Sequence, residues 1–157
     1  MSVAAPFPAR DRMTTQAGLV ALSWLNWFTS LQTDVGNAPA RLKSVTLTAQ
    51  GASIGATAIP VGSLASGLYR VSYLARITTP ATTSSSLTVT LGFTNGGVAC
   101  SLSGAAMTSN TTSTVQTGSH MVAIDRASPV TYATTYASVG ATPMAYSLWV
   151  VLEEVDA

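Results

Sequence analysis

The sequence predicts an all-β protein, a jelly-roll-like β-sandwich preceded by an extended N-terminal arm and one short amphipathic helix. The first indication is composition, because only 8% of the 157 residues are charged, whereas a soluble domain has about 25%. Serine and threonine, 42 residues together, take the place of the usual surface charges. Threonine is β-branched and fits a pleated strand, whereas Lys and Glu are depleted in strands. The second indication is a period of two in the apolar residues from Arg41 onward.

A chain of this length encloses one hydrophobic core and is too short for two cores joined by a linker. Residues 1–20 begin with a Pro-containing, Ala-rich stretch and show no hydrophobic period, which indicates an extended arm. A helix follows, and Asp34, Gly36 and Pro39 mark its end. We therefore expect an arm and helix for docking in residues 1–40, and a β-sandwich body that oligomerises in residues 41–157.

The helix is predicted over residues 21–32, where four large apolar side chains recur at spacings of three and four. That spacing places them on one face of a helix, as a large apolar wedge. We predict that this face docks the protein to a neighbour, since aromatic anchors carry much of the energy of protein interfaces. The alternative is that the helix packs on the protein's own sheet as core. The predicted docking residues are Trp24, Trp27, Phe28 and Leu31.

Short runs of alternating apolar and polar residues follow, separated by turns rich in Gly, Pro, Ser and Asn. The sequence Asn95-Gly96-Gly97 lies between two of them and supplies the turn of a β-hairpin. The run over residues 78–86 is low in complexity and is predicted to be a turn. About seven to nine such strands are typical of a sandwich or barrel. The predicted strands cover residues 44–48, 54–59, 69–77, 87–93, 98–102, 114–124, 130–137 and 144–152.

The last predicted strand is apolar on both faces, because Trp149 and Val151 alternate with Leu148 and Val150. A strand that is apolar on both sides of an all-β protein indicates a surface covered by another subunit. Tyrosines in the strand period are further interface candidates, since their rings are apolar and their hydroxyls reach the rim. The predicted oligomer interface consists of Tyr132, Tyr136, Tyr146, Leu148, Trp149 and Val151.

The formal net charge is +1 and the seven basic residues are scattered, so no basic patch for nucleic acid or an anionic membrane is expected. Residues 77–124 are 48 consecutive residues without a formal charge. Exposed sheets normally carry charges that prevent aggregation, so we expect other protein to cover much of this stretch. The single Cys100 implies no intrachain disulfide, and the opening residues are neither a signal peptide nor a membrane span. We expect a soluble protein made in the cytosol.

The chain offers little material for catalysis, since it has one His, one Cys and six acidic residues. A nucleophile needs a base and an orienting group, and a Cys/His metal site needs three or four ligands. His120 lies within a predicted strand, and Glu153 and Glu154 form a pair typical of a solvated strand end. The Asn95 turn lacks the Lys and the helix of a phosphate-binding loop. We expect no catalytic residue, no metal, no cofactor and no enzymatic activity.

Two parts of the chain resemble small virion proteins of tailed bacteriophages. Residues 18–31 are similar to a short N-terminal motif of such proteins, in which Gly and apolar residues precede a helix with W-x-x-W-F-x-x-L spacing. A longer part, which covers most of the body, is similar to a family of uncharacterised phage structural proteins. Its matching segments are residues 67–87, 92–94, 110–112, 130–140 and 143–148.

The resemblance implies a non-enzymatic structural protein of the virion, assembled in the host cytoplasm as a homotrimeric jelly roll. The first interpretation is a tail-associated fibre or spike, whose arm and helix dock it to a virion protein of the tail, the portal or adaptor, or the capsid. One alternative is a capsid decoration protein, either a cement or a head fibre. Another is a module that binds host-surface carbohydrate through tyrosines and hydroxyl-rich loops such as residues 78–86. No nucleic acid or membrane partner is expected.

Overall fold

The computed structural model describes residues 24–29 and 40–156. The chain divides into two units, Met1–Ala38 and Pro39–Ala157. In the first unit, residues 24–29 form a short helix. The ring centroids of Trp27 and Phe28 lie 5.2 Å apart, and those of Trp24 and Trp27 lie 5.9 Å apart. The predicted arm, the ends of the predicted helix and Leu31 lie outside the described residues.

Eight strands make up the second unit within residues 40–156, and each strand predicted from the period of two is present. The low-complexity run differs most from its prediction. Because threonine is a good strand residue, β3 continues into this run to Thr79 and β4 begins at Ser84, which leaves a turn of only four residues. The strands are β1 (Ala40–Gln50), β2 (Ile54–Ala58), β3 (Gly67–Thr79), β4 (Ser84–Asn95), β5 (Val98–Ser103), β6 (Val115–Ile124), β7 (Thr131–Val139) and β8 (Ala145–Asp156).

The strands form two four-stranded antiparallel sheets that pack face to face. Sheet 1 has the order β1-β8-β3-β6, and sheet 2 has the order β2-β7-β4-β5. Among the eight strands, β4 and β5 are paired as a hairpin, and every other connection passes from one sheet to the other. This is the strand order of a jelly roll. The predicted β-sandwich is therefore confirmed.

The core lies between the sheets and consists of the inward residues of the period of two. Every second residue of β3 from Tyr69 to Ile77 is buried, as is every second residue of β4 from Leu87 to Leu91. On the inner face of sheet 1, Tyr73 covers Gly118 of β6 and approaches Gly104, and a Cβ at either glycine would collide with the tyrosine. These two glycines therefore let the ring lie flat inside the sandwich.

The two ends of the sandwich differ in what they carry. The chain enters β1 at residue 40, and we call this end proximal; it also holds the end of β8 and the loops at residues 59–66, 96–97 and 125–130. The opposite, distal end holds the loops at residues 51–53, 80–83, 104–114 and 140–144. These four distal loops contain no charged residue.

One asparagine links two of the distal loops, residues 104–114 and residues 80–83. The Asn110 side chain accepts a hydrogen bond from the Ala81 N–H at 2.8 Å and donates one to the Ala81 carbonyl at 2.6 Å. It also accepts a hydrogen bond from the Ser85 hydroxyl at 2.9 Å. Because Ala81 is buried, its backbone groups have little access to water, and the asparagine satisfies both.

At the proximal end, one carboxylate performs a similar task for the β4–β5 hairpin. Asp125 accepts hydrogen bonds from the N–H groups of Gly96 and Gly97 at 2.9 and 2.7 Å. The φ angles of these glycines are +59° and +74°, so the tight turn requires glycine, as the sequence predicted. The clamp from Asp125 ties this hairpin of sheet 2 to the connection that leaves β6.

A buried hydroxyl network joins the two sheets near the distal end. The Tyr146 hydroxyl of β8 donates to the Ala52 carbonyl at 2.8 Å and lies 2.7 Å from the Thr134 hydroxyl of β7. Thr134 in turn accepts the Ile54 N–H at 2.9 Å. Burial raises the pKa of the Tyr146 hydroxyl above its ordinary value of 10.0.

We expect Asn110→Ala to lower the free energy of unfolding by about 2 kcal/mol, since it leaves two buried backbone groups without a partner. The control is Asn95→Ala, which removes an exposed asparagine and should change stability by less than about 0.5 kcal/mol. Urea denaturation followed by circular dichroism measures both. Equal stability of the two variants would show that the asparagine does not hold the distal loops.

We expect the protein to lose stability in alkali. A hydroxyl whose pKa is higher in the folded than in the unfolded chain stabilises the fold below the unfolded value, and this contribution is lost as the pH rises through the folded value. Burial raises the pKa of Tyr69 and Tyr73 as well as that of Tyr146. Melting temperatures should therefore fall as the pH rises above about 10. The fall should be shallower in Tyr146→Phe, and an equally steep fall there would contradict a role for this hydroxyl.

Candidate functional site

Three of the six predicted interface residues lie in the chain's own core. Tyr146 and Leu148 have no exposed surface, and Tyr132 is 5% exposed. A side chain without exposed surface cannot contact a second copy, so the interface prediction is corrected for these three. The period of two that suggested these residues places them on the inner faces of their strands. There the Tyr146 hydroxyl is hydrogen-bonded to the Ala52 carbonyl. Tyr69 and Tyr73 are buried too, so none of these four tyrosines offers a ring to a sugar.

Tyr136 is half-buried and bound within its own chain. Its hydroxyl donates to the Met144 carbonyl at 2.7 Å, and its N–H donates to the Ser53 hydroxyl at 3.0 Å. Its ring centroid lies 6.1 Å from that of Tyr146. These contacts hold Tyr136 at the distal end of β7, and an interface role for its remaining surface stays a prediction.

Trp149 and Val151 lie on the outer face of sheet 1, where both are half-buried. Trp149 is in register with Thr46 of β1 on one side and with Leu74 of β3 on the other. Leu74, which the sequence analysis did not single out, therefore extends the apolar patch across one strand. The last strand is apolar on both faces, as predicted, and contact of its outer face with another subunit stays a prediction.

Charge is unevenly divided between the two sheets. None of the four strands of sheet 2 contains a charged residue. Its outer face is built from small hydroxyl and alanine side chains; Thr90, for example, pairs with Ala133 on one side and with Ser103 on the other. The charged residues of the body lie in sheet 1 or in the β6–β7 turn, and they are Arg41, Lys43, Arg70, Arg76, Asp125, Arg126, Glu153, Glu154 and Asp156.

Charge is also unevenly divided along the sandwich. Arg76 is the one charged residue placed toward the distal ends of the strands, and the others lie toward the proximal end. There Arg70 of β3 donates to the Glu153 carboxylate of β8 at 2.6 Å, with 42% and 23% of the side chains exposed. An exposed pair of this kind adds at most about 1 kcal/mol. The proximal end is therefore charged, whereas sheet 2 and the distal loops are neutral.

The edges of the sheets on one side of the sandwich are regular and uncharged. β6 is the edge strand of sheet 1 and pairs with β3 over ten consecutive residues without a register shift. β5 is the edge strand of sheet 2 and pairs with β4 over six consecutive residues. Neither strand contains a charged residue or a proline. Large apolar side chains are exposed on both strands, namely Val98, Val115 and Met121.

The edges on the opposite side are interrupted. β1 has two register shifts against β8, and Ala49 within it has a φ of +53°. Arg41 and Lys43 are exposed near its start. β2 has only five residues and a register shift against β7. The four edges of the sandwich therefore fall into two kinds, one interrupted and one continuous.

The described residues hold no group of three or more His, Cys, Asp or Glu side chains that could bind a metal ion. His120 of β6 stacks on Tyr73 with ring centroids 6.3 Å apart, and Cys100 is half-buried on β5. Three shallow hollows adjoin the β2–β3 loop, and Lys43 and Arg126 are the charged residues in their linings. In the part of the chain that the structure describes, no helix is long and apolar enough to cross a membrane.

The predicted docking residues within the described part of the first unit lie together. Trp24, Trp27 and Phe28 have ring centroids within 6.0 Å of one another. Phe28 is 40% exposed, and Leu25, which the spacing did not select, is 48% exposed. Leu25 was missed because the spacings were counted from Trp24, although Leu25 lies three residues before Phe28.

The sequence analysis did not single out β5 and β6 as exposed edges. The signal present in the sequence is the absence of charge and proline from residues 98–103 and 115–124. That signal alone is also typical of a strand in the middle of a sheet. Only the strand order shows that both strands have one neighbour in their own sheet.

Comparisons with known proteins found distant structural likeness and no related family. The chain matches no protein-family model and no curated protein. Among solved structures, it is similar to a carbohydrate-binding module of lichenase 5A from Cellvibrio mixtus, solved in complex with cellotriose. The two chains are 17% identical, with a TM-score of 0.31, and the match covers 69% of this chain and 70% of that one. A likeness this distant transfers no ligand to this chain.

Proposed function

We propose that the protein is a non-enzymatic structural protein of a tailed-phage virion, a homotrimeric fibre or spike attached through its N-terminal segment. The observation that carries the proposal is the uncharged surface of the body, which comprises sheet 2, the β5 and β6 edges and the distal loops. Exposed sheets without charge tend to associate. In a protein that works inside an assembly, this tendency is useful, because interface cores are depleted of charge.

The fold agrees with the proposal but does not select it, since jelly rolls serve viral capsid and lectin domains alike. The choice of a virion protein comes from the resemblance of residues 18–31 and of the segments between residues 67 and 148 to phage structural proteins. A capsid decoration protein would have the same body. The two virion roles differ in copy number, because a decoration protein covers the shell and a fibre occupies few sites.

The helix at residues 24–29 supplies the surface for attachment. Its clustered rings and the exposed parts of Phe28 and Leu25 are the kind of aromatic and apolar group that is enriched at interface hot spots. We infer that this helix enters a pocket of another virion protein, while the body associates with its sister copies.

We expect the full chain to have three times its monomer mass of 16.1 kDa when measured by sedimentation or light scattering. The association should persist in high salt, because neutral surfaces depend little on ionic attraction. A well-behaved single copy at high protein concentration would overturn the homotrimer. Counting copies per purified particle then separates the two virion roles, since hundreds of copies indicate decoration.

We expect Phe28→Ala to reduce incorporation into particles, since truncation of an aromatic anchor costs about 2 kcal/mol of binding. The matched control is Asn26→Ala on the same helix, which removes an exposed polar side chain and should be incorporated normally. Quantitative mass spectrometry of purified particles measures the copies of each variant. Normal incorporation of Phe28→Ala, with the chain still trimeric, would place attachment elsewhere.

A further inference from the structure

We propose that copies of this chain meet along the side of the sandwich formed by the β5 and β6 edges. The inference rests on the proposed function, because it identifies the surface that joins the copies of the homotrimer. It differs from the expectation drawn from the sequence, which placed the contact on the outer face of β8 at Trp149 and Val151. Three features of the β5 and β6 edges support this contact, namely their backbone, their side chains and their charge.

The backbone of β6 presents a long regular edge. An edge strand leaves every second pair of N–H and C=O groups without a partner in its own sheet, and these groups can pair with another chain. Since β6 pairs with β3 over ten residues without a bulge, its outward groups form an unbroken row. β5 presents a shorter row of the same kind on the same side of the sandwich.

The β1 and β2 edges carry features that prevent pairing with a strand of another chain. Bulges, short strands and exposed Lys or Arg are the features that block an edge. β1 has two register shifts with Arg41 and Lys43 beside the first, and β2 is short and shifted. β6 has none of these features, and β5, although it has only six residues, has no register shift and no Lys or Arg. Because only one side of the molecule carries blocking features, we infer that another chain covers the side formed by the β5 and β6 edges.

The continuous side carries exposed apolar side chains on both strands. Val98 of β5 is 62% exposed, and Val115 and Met121 of β6 are 49% and 50% exposed. Within the sandwich, only Leu68 and Val139 are comparable exposed apolar residues among those described. Trp149 is already half-buried between its register neighbours, so it gains less from a partner. Apolar surface that flanks an unpaired edge gains most when a second strand covers it.

The charge of this side indicates that the covering chain is a second copy. Identical copies bring identical charges, so an edge with a net charge repels itself, whereas a neutral edge does not. Neither β5 nor β6 has a charged residue. A closed three-fold ring joins two different patches of each copy, and the β5 and β6 edges supply two different patches on one side. We therefore infer that the β6 edge of one copy lies against the β5 edge of the next.

One cross-strand row supplies a matched pair of variants. Thr46 on β1 and Thr117 on β6 lie at opposite ends of the row that passes through Trp149 and Leu74, and both threonines are exposed. The same substitution can therefore be placed on the interrupted and on the continuous edge of one sheet. Thr117→Lys should reduce the mass of the full chain from three times to one times 16.1 kDa. Thr46→Lys should leave it unchanged.

The outcomes separate this inference from the proposed function. A wild-type chain that is already a single copy overturns the homotrimer itself. A trimeric wild type whose Thr117→Lys variant is also trimeric overturns the edge contact alone. Dissociation of both lysine variants also overturns the edge contact and indicates a contact through the outer face of sheet 1. In that case Trp149→Ser should dissociate the trimer as well. Circular dichroism spectra of the variants show whether each is folded.

Hydrogen exchange gives a second measurement, which reports the protection of individual strands rather than the mass of the assembly. In the trimer, amides of β6 and β5 that point away from their own sheets should exchange more slowly than in the Thr117→Lys variant. The amides of β1 should exchange alike in both proteins. Ser101→Lys, which places a charge on the exposed face of β5, should reproduce the loss of protection in β6. Equal exchange of β6 in wild type and variant contradicts the contact.

Discussion

An open β-sheet leaves a row of unpaired backbone hydrogen-bonding groups along each of its two edges, and a sandwich of two sheets has four such edges. This chain interrupts the β1 and β2 edges with bulges, short length and positive charge. It leaves the β5 and β6 edges straight and neutral. Since an unblocked edge can pair with a strand that it meets, the proposed contact between copies would cover the side that is open to such pairing.

The composition follows from the same constraint. Threonine and serine provide strand propensity and surface polarity without charge, so sheet 2 can present a neutral outer face, where the hydroxyls of Thr90 and Ser103 lie 2.9 Å apart. Charge is confined to sheet 1 and the proximal end, where Arg70 pairs with Glu153. Strands that would face sister copies thus avoid like charges, and the end at which the chain enters β1 retains them.

The sequence could predict those features that depend on neighbours along the chain. The strand period, the β4–β5 turn at Gly96 and the two apolar faces of β8 are all local, and each is present. Pairing between distant segments could not be predicted. Tyr146 was assigned to an interface because the period of two separates the two faces of a strand without showing which face is buried. Only the fold shows which face meets the other sheet. For the same reason, β6 could not be distinguished from an inner strand, and the contact between Gly118 and Tyr73 could not be predicted.

The proposed attachment through the N-terminal helix and the proposed contact along the β5 and β6 edges use different parts of the chain. The chain enters β1 at the proximal end, where the charged residues lie, whereas the β5 and β6 edges run along the length of the sandwich. The proposed contact along that side would leave both ends of the sandwich uncovered. The distal loops are neutral, and Asn110 ties two of them, residues 80–83 and 104–114, to each other. Side-by-side association, as proposed, would present the distal loops of all copies in one direction, as the proposed fibre requires.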